Sequence, residues 1–547
     1  MARVINLIIV ILELIAYRKV RKNREFKGIL IYYTHLSNML TLGSSVLLVI
    51  FGPKPAVEVF RLLTVSMLAM TFFVTAFILV PMTHNIKGFL FSGNGLYHHT
   101  IVPILSVLSY LLFEPTPPMI WICLPAVVTL IYGLVMVYLN AQGKVDGPYP
   151  FFRVRHLGGP KTALWMVALM IASTIFSAGL GFRKPAASDV KYIFVHGLSG
   201  WGSYDIVDEF FPYWGFAGGN VINYLNKEGY ESYSASVNPS GSAWDRACEL
   251  YAQLTGTRVD YGEAHSKEAG HERFGADFTG RALLADFKGS KTAIIGHSFG
   301  GATIRLFSEL LRNGSEKERA ATKEEDLSPF FKGGNGKNMT ALVTLAAPTN
   351  GTTAYDLYED ENFDIKSIEI PEEYEKNGNF MSNWTRVKKD GRADWDYASF
   401  DMHIDNALAL NKTITTFSDV YYFAYPASST MKNPDGSLSP DPEVTESMFM
   451  RGGTYMSKYT GRTKGGFEID ESWQSNDGLV NEISAGAPIG APKAEYDKDS
   501  ALLPGRWYVM PTTRGDHTAF QGGLTKRHDV KPFYLDLVKL IDRAVNS

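Results

Sequence analysis

Thr292-Ala293-Ile294-Ile295-Gly296-His297-Ser298-Phe299-Gly300-Gly301 is the stretch from which the rest of the chain can be read. A short apolar run leads into glycines on both sides of one serine, and a helix-like segment follows. This is a G-x-S-x-G elbow between strand and helix. The turn is too tight for side chains two positions either side of the serine. It leaves Ser298 Oγ exposed and sets the Phe299 N–H at a helix N-terminus, where a developing oxyanion would sit. The plain alternative is a glycine-rich turn that happens to contain serine. The strand before it and the helix after it favour a nucleophile.

Upstream, Lys191-Tyr192-Ile193-Phe194-Val195 reads as a buried strand ending in His196-Gly197-Leu198-Ser199-Gly200-Trp201-Gly202. A His-Gly-x segment after an early core strand is where α/β-hydrolases keep a second oxyanion donor, which nominates the Leu198 N–H. Downstream, residues 341–345, 421–425 and 506–510 read as strands, with helical segments near 217–228 and 302–311. Strands alternating with helices argue for a mostly parallel sheet with helices on both faces, an α/β-hydrolase fold. Residues 314–337 are charged and glycine-rich and read as a solvated surface insertion.

Three further pieces lie between these strands: Trp244-Asp245-Arg246-Ala247-Cys248-Glu249, Asp260-Tyr261-Gly262-Glu263-Ala264-His265 and Gly270-His271-Glu272-Arg273-Phe274-Gly275. One aspartate and two histidines this close suit a zinc-type ion, and a closed structural site requires a fourth ligand. These pieces join the elbow, His196–Gly202, Ala346-Ala347-Pro348 with Gly351-Thr352-Thr353, and Asn476-Asp477-Gly478-Leu479-Val480-Asn481. In that order they make residues 190–525 resemble the zinc-binding lipases of Gram-positive bacteria, the staphylococcal and thermophilic Bacillus type. The resemblance implies hydrolysis of lipid carboxylic esters and a structural zinc on Asp245, His265, His271 and a second aspartate. The family's aromatic-Asp-apolar motif leads into a helix ending Leu-Asn. Phe400-Asp401-Met402 before Leu410-Asn411 matches it and implies Asp401, with Asp394 and Asp396 near by.

A serine nucleophile needs a base, and the base needs an orienter. The α/β-hydrolase order is Ser, then Asp or Glu, then His. Asp477 stands in the family's motif, and His517, in Arg514-Gly515-Asp516-His517, follows the last strand. Asp516 competes as orienter but is adjacent to His517 in the chain. The sequence also departs from the family. Its calcium site uses a glutamate two residues after the histidine and an aspartate further on. This chain has Ala519 and, approximately, Leu524 there, so no calcium site of that type is expected. The segment between Thr353 and Asp401 is rich in charge (Glu359, Asp360, Glu361, Asp364, Glu372, Glu373, Glu375) and reads as shorter than the family's lid.

The chain has 547 residues, too many for one core, and its apolar residues are unevenly spread. Residues 1–182 hold apolar stretches near 4–17, 29–52, 57–82, 99–114, 118–140 and 161–181. They predict an all-α transmembrane domain of about six helices, then a linker at 183–190 and the hydrolase domain at 191–547. No small-residue cleavage site follows residues 4–17, which argues against a signal peptide. Arg18, Lys19, Arg21, Lys22, Arg24 and Lys27 place one loop in the cytoplasm, and Lys144, Arg153, Arg155 and Lys161 another. The hydrolase domain is then extracytoplasmic, against the small counterweight of Arg183 and Lys184. A net charge of −3 without a basic, aromatic-interleaved patch gives no sign of nucleic-acid binding. Cys123 and Cys248 make no disulfide framework. The expected partners are lipid esters and the membrane; nothing in the sequence nominates a protein partner.

Thr34 and His35 lie within Tyr32-Tyr33-Thr34-His35-Leu36-Ser37-Asn38, and His98 and His99 precede Thr100 and Pro103. Ionisable groups at membrane depth are costly and mark function unless they sit at headgroup level. With Gly147-Pro148-Tyr149-Pro150-Phe151 they make residues 1–160 weakly resemble the six-span androgen-induced-type membrane proteins. That resemblance implies an intramembrane Thr/His pair that hydrolyses lipid esters. Its residues here would be Thr34 and His99, with His98 competing. The other readings are a lipid-binding or transport module that feeds the outer domain, and a plain anchor.

Overall fold

The structure is a computed structural model and describes residues 2–22, 31–52, 54–114, 116–117, 119–146, 149–181, 187–370 and 391–546. Arg24, Lys27, Gly147, Pro148, Arg183, Lys184, Glu372, Glu373 and Glu375, on which parts of the reading above rest, lie outside the described residues. The chain divides into two compact units, Met1–Lys184 and Pro185–Ser547.

The first unit is built of helices α1 (Ala2–Lys22), α2 (Tyr33–Phe51), α3 (Ala56–Thr83), α4 (Gly93–Phe113), α5 (Met119–Ala141) and α6 (Gly159–Gly181). The last five are long and apolar enough to cross a membrane. Helix α1 is continuous, but Arg3, Glu13, Arg18, Lys19, Arg21 and Lys22 set it apart from them, so among the described residues five such helices stand where six were expected. Two helices widen into π turns, at Thr75–Leu79 and Leu96–Ile101. Each is followed closely by a proline, Pro81 or Pro103, which removes a donor and crowds the preceding turn. One buried ion pair is well furnished. Arg61 Nε donates to Glu114 Oε2 at 2.8 Å and Nη2 to Oε1 at 3.0 Å, while Ser109 Oγ and Asn6 Nδ2 also donate to Oε1, at 2.6 and 3.0 Å. Such pairing offsets the cost of burying two charges among apolar helices.

The second unit is organised by a seven-stranded, wholly parallel sheet. Its strands are β1 (Lys191–Val195), β2 (Ser232–Ala235), β3 (Thr292–His297), β4 (Met339–Leu345), β5 (Tyr421–Tyr425), β6 (Lys493–Glu495) and β7 (Trp507–Val509). Their spatial order is β6-β7-β5-β4-β3-β1-β2. Strands β1, β3, β4, β5 and β7 are the expected ones. Edge strands β2 and β6 are short and lack the apolar run of a strand buried on both faces, so no pattern marked them.

Successive side chains alternate between the two faces. Ile193, Val195 and Ile294 join one core with Phe307 and Leu310 of α9 (Gly300–Asn313). Tyr192, Phe194 and Ile295 join the other with Trp214 and with Tyr534 and Leu537 of α11 (Lys531–Asn546). Each large side chain buried this way contributes roughly 1.5–3 kcal/mol. Residues 314–337 correct the surface reading. Glu318, Leu327, Phe330 and Phe331 are buried, and Phe330 stacks on Tyr251 at 4.6 Å and meets Phe307 at 5.5 Å. Three apolar side chains among many charges are enough to pin the segment down.

Candidate active site and metal centre

Strand β3 ends at His297 and α9 begins at Gly300, so the chain turns from strand to helix within two residues. Ser298 lies at φ 54°, in the left-handed region that costs a non-glycine residue roughly 1–2 kcal/mol. The approach around it is tight. A Cβ on Gly296 would lie 2.5 Å from the backbone of Gly300, and one on Gly300 would lie 2.3 Å from Val195 O. The fold holds this strained turn and so projects Ser298 Oγ from the C-terminal edge of a central strand, where open α/β sheets bind their ligands.

The three residues nominated for acyl transfer meet there. Ser298 Oγ lies 2.7 Å from His517 Nε2, and His517 Nδ1 lies 2.7 Å from Asp477 Oδ2. Asp477 is fully buried, and its Oδ1 accepts from Leu479 N and Val480 N at 3.0 and 2.7 Å. A carboxylate only accepts, so His517 Nδ1 carries the proton and Nε2 is left to accept from the serine hydroxyl. The rival carboxylate is engaged elsewhere. Asp516 Oδ1 takes Thr518 N and Oγ1, and Oδ2 takes Glu446 N at 2.6 Å. Burial pushes Asp516 up to about 6.

A second histidine braces the first. His297 Nε2 donates to the backbone O of His517 at 3.0 Å, which leaves its Nδ1 to accept from Tyr213 OH at 2.7 Å. Tyr213 OH accepts in turn from Gly197 N at 2.9 Å. Burial holds His297 well below the ordinary histidine range, so it stays neutral in this chain of bonds. The loop bearing Leu198 is thereby tied to the loop bearing His517. Among the described residues, neither the Leu198 N–H nor the Phe299 N–H has a protein acceptor, as oxyanion donors require. Ser298 and His517 open onto a cavity of about 240 Å³ walled by Leu198, Trp201, Phe211, Phe216, Met402, Met448, Phe449 and Leu479. The wall suits an acyl chain.

The candidate metal ligands converge on another part of the unit. Asp245 lies in the first turn of α7 (Ala243–Thr255) and His265 lies on α8 (Glu263–Ala269). Donor atoms of Asp245, His265, His271 and Asp396 lie within 4.8 Å of one another. His265 Nε2 is 3.1 Å from Asp245 Oδ1 and 3.3 Å from Asp396 Oδ1, and His271 Nε2 is 3.3 Å from Asp396 Oδ2. The fourth member is therefore Asp396 and not Asp401. Asp401 ends a single helical turn, Ala398–Asp401, and its Oδ2 accepts from Ala243 N at 2.7 Å at the start of α7. Burial pushes Asp401 up to about 7. His271 Nε2 and Asp396 Oδ2 are buried and face each other at 3.3 Å without a well-directed hydrogen bond, an arrangement that an ion between them would satisfy. Two nitrogens and two carboxylate oxygens fit zinc.

The supports of this centre are specific. Glu318 Oε1 accepts from His265 N at 2.8 Å and Oε2 from Ala264 N at 3.0 Å, and Trp244 stacks on the His265 ring at 5.0 Å. Arg392 Nη1 donates to Asp245 Oδ2 at 3.0 Å. Burial lowers His265, but Asp245 and Asp396 outweigh it and raise the imidazole to about 9. An incoming cation would displace that proton.

A family model described as "Lipase-like, C-terminal domain" matches residues 188–370. The lipase of Staphylococcus hyicus is 34% identical over 354 residues, covering 60% of this chain and 53% of that protein. The crystal structure of Staphylococcus hyicus lipase superposes with a TM-score of 0.53 at 30% identity, covering 66% of this chain and 98% of that one. The chain belongs to this family of bacterial lipases. EstA from Clostridium botulinum also superposes, with a TM-score of 0.56 at 28% identity, covering 66% of this chain and 90% of that one. The chain spans about half the length of the curated relatives it matches.

In the first unit the two nominated side chains bond to other partners. Thr34 Oγ1 lies 3.3 Å from Tyr149 OH, whereas His99 Nδ1 lies 2.7 Å from Thr75 Oγ1. His98 Nε2 is 3.2 Å from Glu13 Oε2. Thr34 and Thr75 share the lining of a cavity of about 30 Å³, room for little more than water. Sequence reading did not single out Tyr213, Glu318, Arg392 or Glu446. Each acts through a partner far away in the chain, and no local motif marks them.

Proposed function

We propose that the chain is a membrane-tethered serine carboxylic-ester hydrolase acting on lipid esters. The observation that carries this reading is the unbroken line from Asp477 Oδ2 through His517 to Ser298 Oγ, 2.7 Å at each step. In the reaction, His517 Nε2 takes the Ser298 proton as Oγ attacks the ester carbonyl. The N–H groups of Leu198 and Phe299 stabilise the oxyanion, and His517 returns the proton to the leaving alcohol. Water, activated by His517, then releases the acid from Ser298. Asp477 keeps the imidazole in the required tautomer and stabilises its charged form.

Asp245, His265, His271 and Asp396 would hold a structural zinc ion; four protein ligands leave it no open position for substrate. The five apolar helices support a membrane anchor. The basic residues that follow the first apolar run favour a cytoplasmic start for α2, and five crossings from there end outside. The extracytoplasmic placement of the hydrolase unit is therefore the same whether or not α1 crosses. Ser298→Ala tests the whole reading on p-nitrophenyl acyl esters. Turnover is expected to vanish, and wild-type rates in this variant would end the proposal.

A further inference from the structure

Glu446 has no part in the mechanism above, yet its carboxylate is buried and fully occupied. Oε1 accepts from the backbone N–H groups of Leu524, Thr525 and Lys526 at 2.8, 2.6 and 2.9 Å. Oε2 accepts from Thr525 Oγ1. The Glu446 N–H donates to Asp516 Oδ2 at 2.6 Å. One residue thus grips the loop of His517 on both sides, immediately before the histidine and again at residues 524–526.

Glu446 is also the N-cap residue of α10 (Ser447–Met456), and that helix supports the other member of the pair. Asn476, next to Asp477, donates through Nδ2 to Gly453 O at 3.3 Å and to Ser457 Oγ at 3.0 Å. The Phe449 ring faces His517 edge-on with centroids 6.4 Å apart. Helix α10 therefore holds the Asp477 turn directly and the His517 loop through Glu446. Building on the ester-hydrolase reading, we infer that Glu446 is a positioning residue that sets His517 against both Asp477 and Ser298. Four hydrogen bonds converging on one side chain make a stiff joint, and a base displaced by about 1 Å loses rate on the order of 10²-fold.

The test uses the full chain in detergent with p-nitrophenyl butyrate. Active sites are counted by titration with a p-nitrophenyl alkylphosphonate that labels Ser298. Glu446→Ala removes the grip. Glu446→Gln preserves it: the amide oxygen takes the three N–H groups, and the amide nitrogen donates to Thr525 Oγ1. The expected result is a fall in kcat per titrated site of about ten- to hundredfold in Glu446→Ala, with KM within about twofold of wild type. Glu446→Gln is expected to stay within about threefold of wild type. Unchanged kcat per site in Glu446→Ala overturns the inference. So does a loss confined to the number of titratable sites, which marks a purely structural role, and so does an equal loss in both variants, which marks the charge rather than the grip. If wild type itself neither titrates nor turns over, the ester-hydrolase reading fails and this inference falls with it.

Discussion

Asp477→Asn changes one atom and, on the geometry here, should silence the enzyme without unfolding it. Asp477 is fully buried and uses its oxygens differently: Oδ1 accepts from Leu479 N and Val480 N, and Oδ2 from His517 Nδ1. In the variant, the amide oxygen must stay on the Oδ1 side, because an NH2 group there would confront two N–H donors. The amide nitrogen then faces His517 Nδ1 and can only donate. The imidazole is driven to the other tautomer, with the proton on Nε2 pointing at Ser298 Oγ, and it is no longer a base. The expected loss in kcat is about 10⁴-fold, or about 5.5 kcal/mol of transition-state stabilisation. Thermal unfolding should move little, since both backbone bonds to Oδ1 survive. Asp477→Ala is the contrast: it strands two buried N–H groups at about 1–3 kcal/mol each and should lose stability as well as rate. Esterase rates and melting curves of the two variants separate these effects. Asp477→Asn activity within tenfold of wild type, or an equal loss in Asp516→Asn, would refute the argument.

Two further outcomes follow from the candidate metal centre and from a partly buried carboxyl. Elemental analysis should find one zinc per chain, lost in Asp245→Ala and Asp396→Ala but kept in Asp401→Ala; zinc kept without Asp396 and lost without Asp401 would reverse the assignment. Glu249 is raised from its ordinary 4.5 to about 7, chiefly by burial. The folded state therefore binds the proton more tightly than the unfolded state, and stability falls as pH rises from about 4.5 through 7. Gln at this position can accept from Asn238 N and donate to Tyr261 OH, the two present partners of the carboxyl. Glu249→Gln should be more stable than wild type by roughly 2–4 kcal/mol at pH 8, with the gain gone at pH 4 in denaturant titrations; no gain at pH 8 would show that the carboxyl is ionised in the fold at no cost.

Much of this is legible in the amino-acid sequence. The glycines around Ser298 are readable because a strand-to-helix turn this tight excludes Cβ atoms, and the order Ser298, Asp477, His517 is readable because fold topology delivers those loops in that order. The central strands announce themselves because burial on both faces demands an unbroken apolar run. Strands β2 and β6 do not, because β2 buries serines in place of an apolar run and the short β6 is mostly exposed. Asp396 and Asp401 lie five positions apart in one short segment, and both have aromatic neighbours in the chain. Which carboxylate turns inward depends on the single turn at Ala398–Asp401, whose end meets the start of α7 and spends Asp401 as an acceptor for Ala243 N.

The sequence by itself determined the chemistry available: a serine in an elbow, a histidine and an aspartate in hydrolase order, a set of zinc-type ligands, and an apolar third ahead of them. Local rules suffice there, since tight turns, apolar runs and ligand types are properties of neighbouring residues. Only the tertiary structure decided which of two aspartates completes the candidate metal-binding cluster. It alone showed that Glu318 supports His265, that Tyr213 and His297 brace the His517 loop, and that Glu446 grips it. Those choices are made by hydrogen bonds that close over distances the chain must first fold to bring together, and a buried polar group takes whichever partner the packing puts within reach.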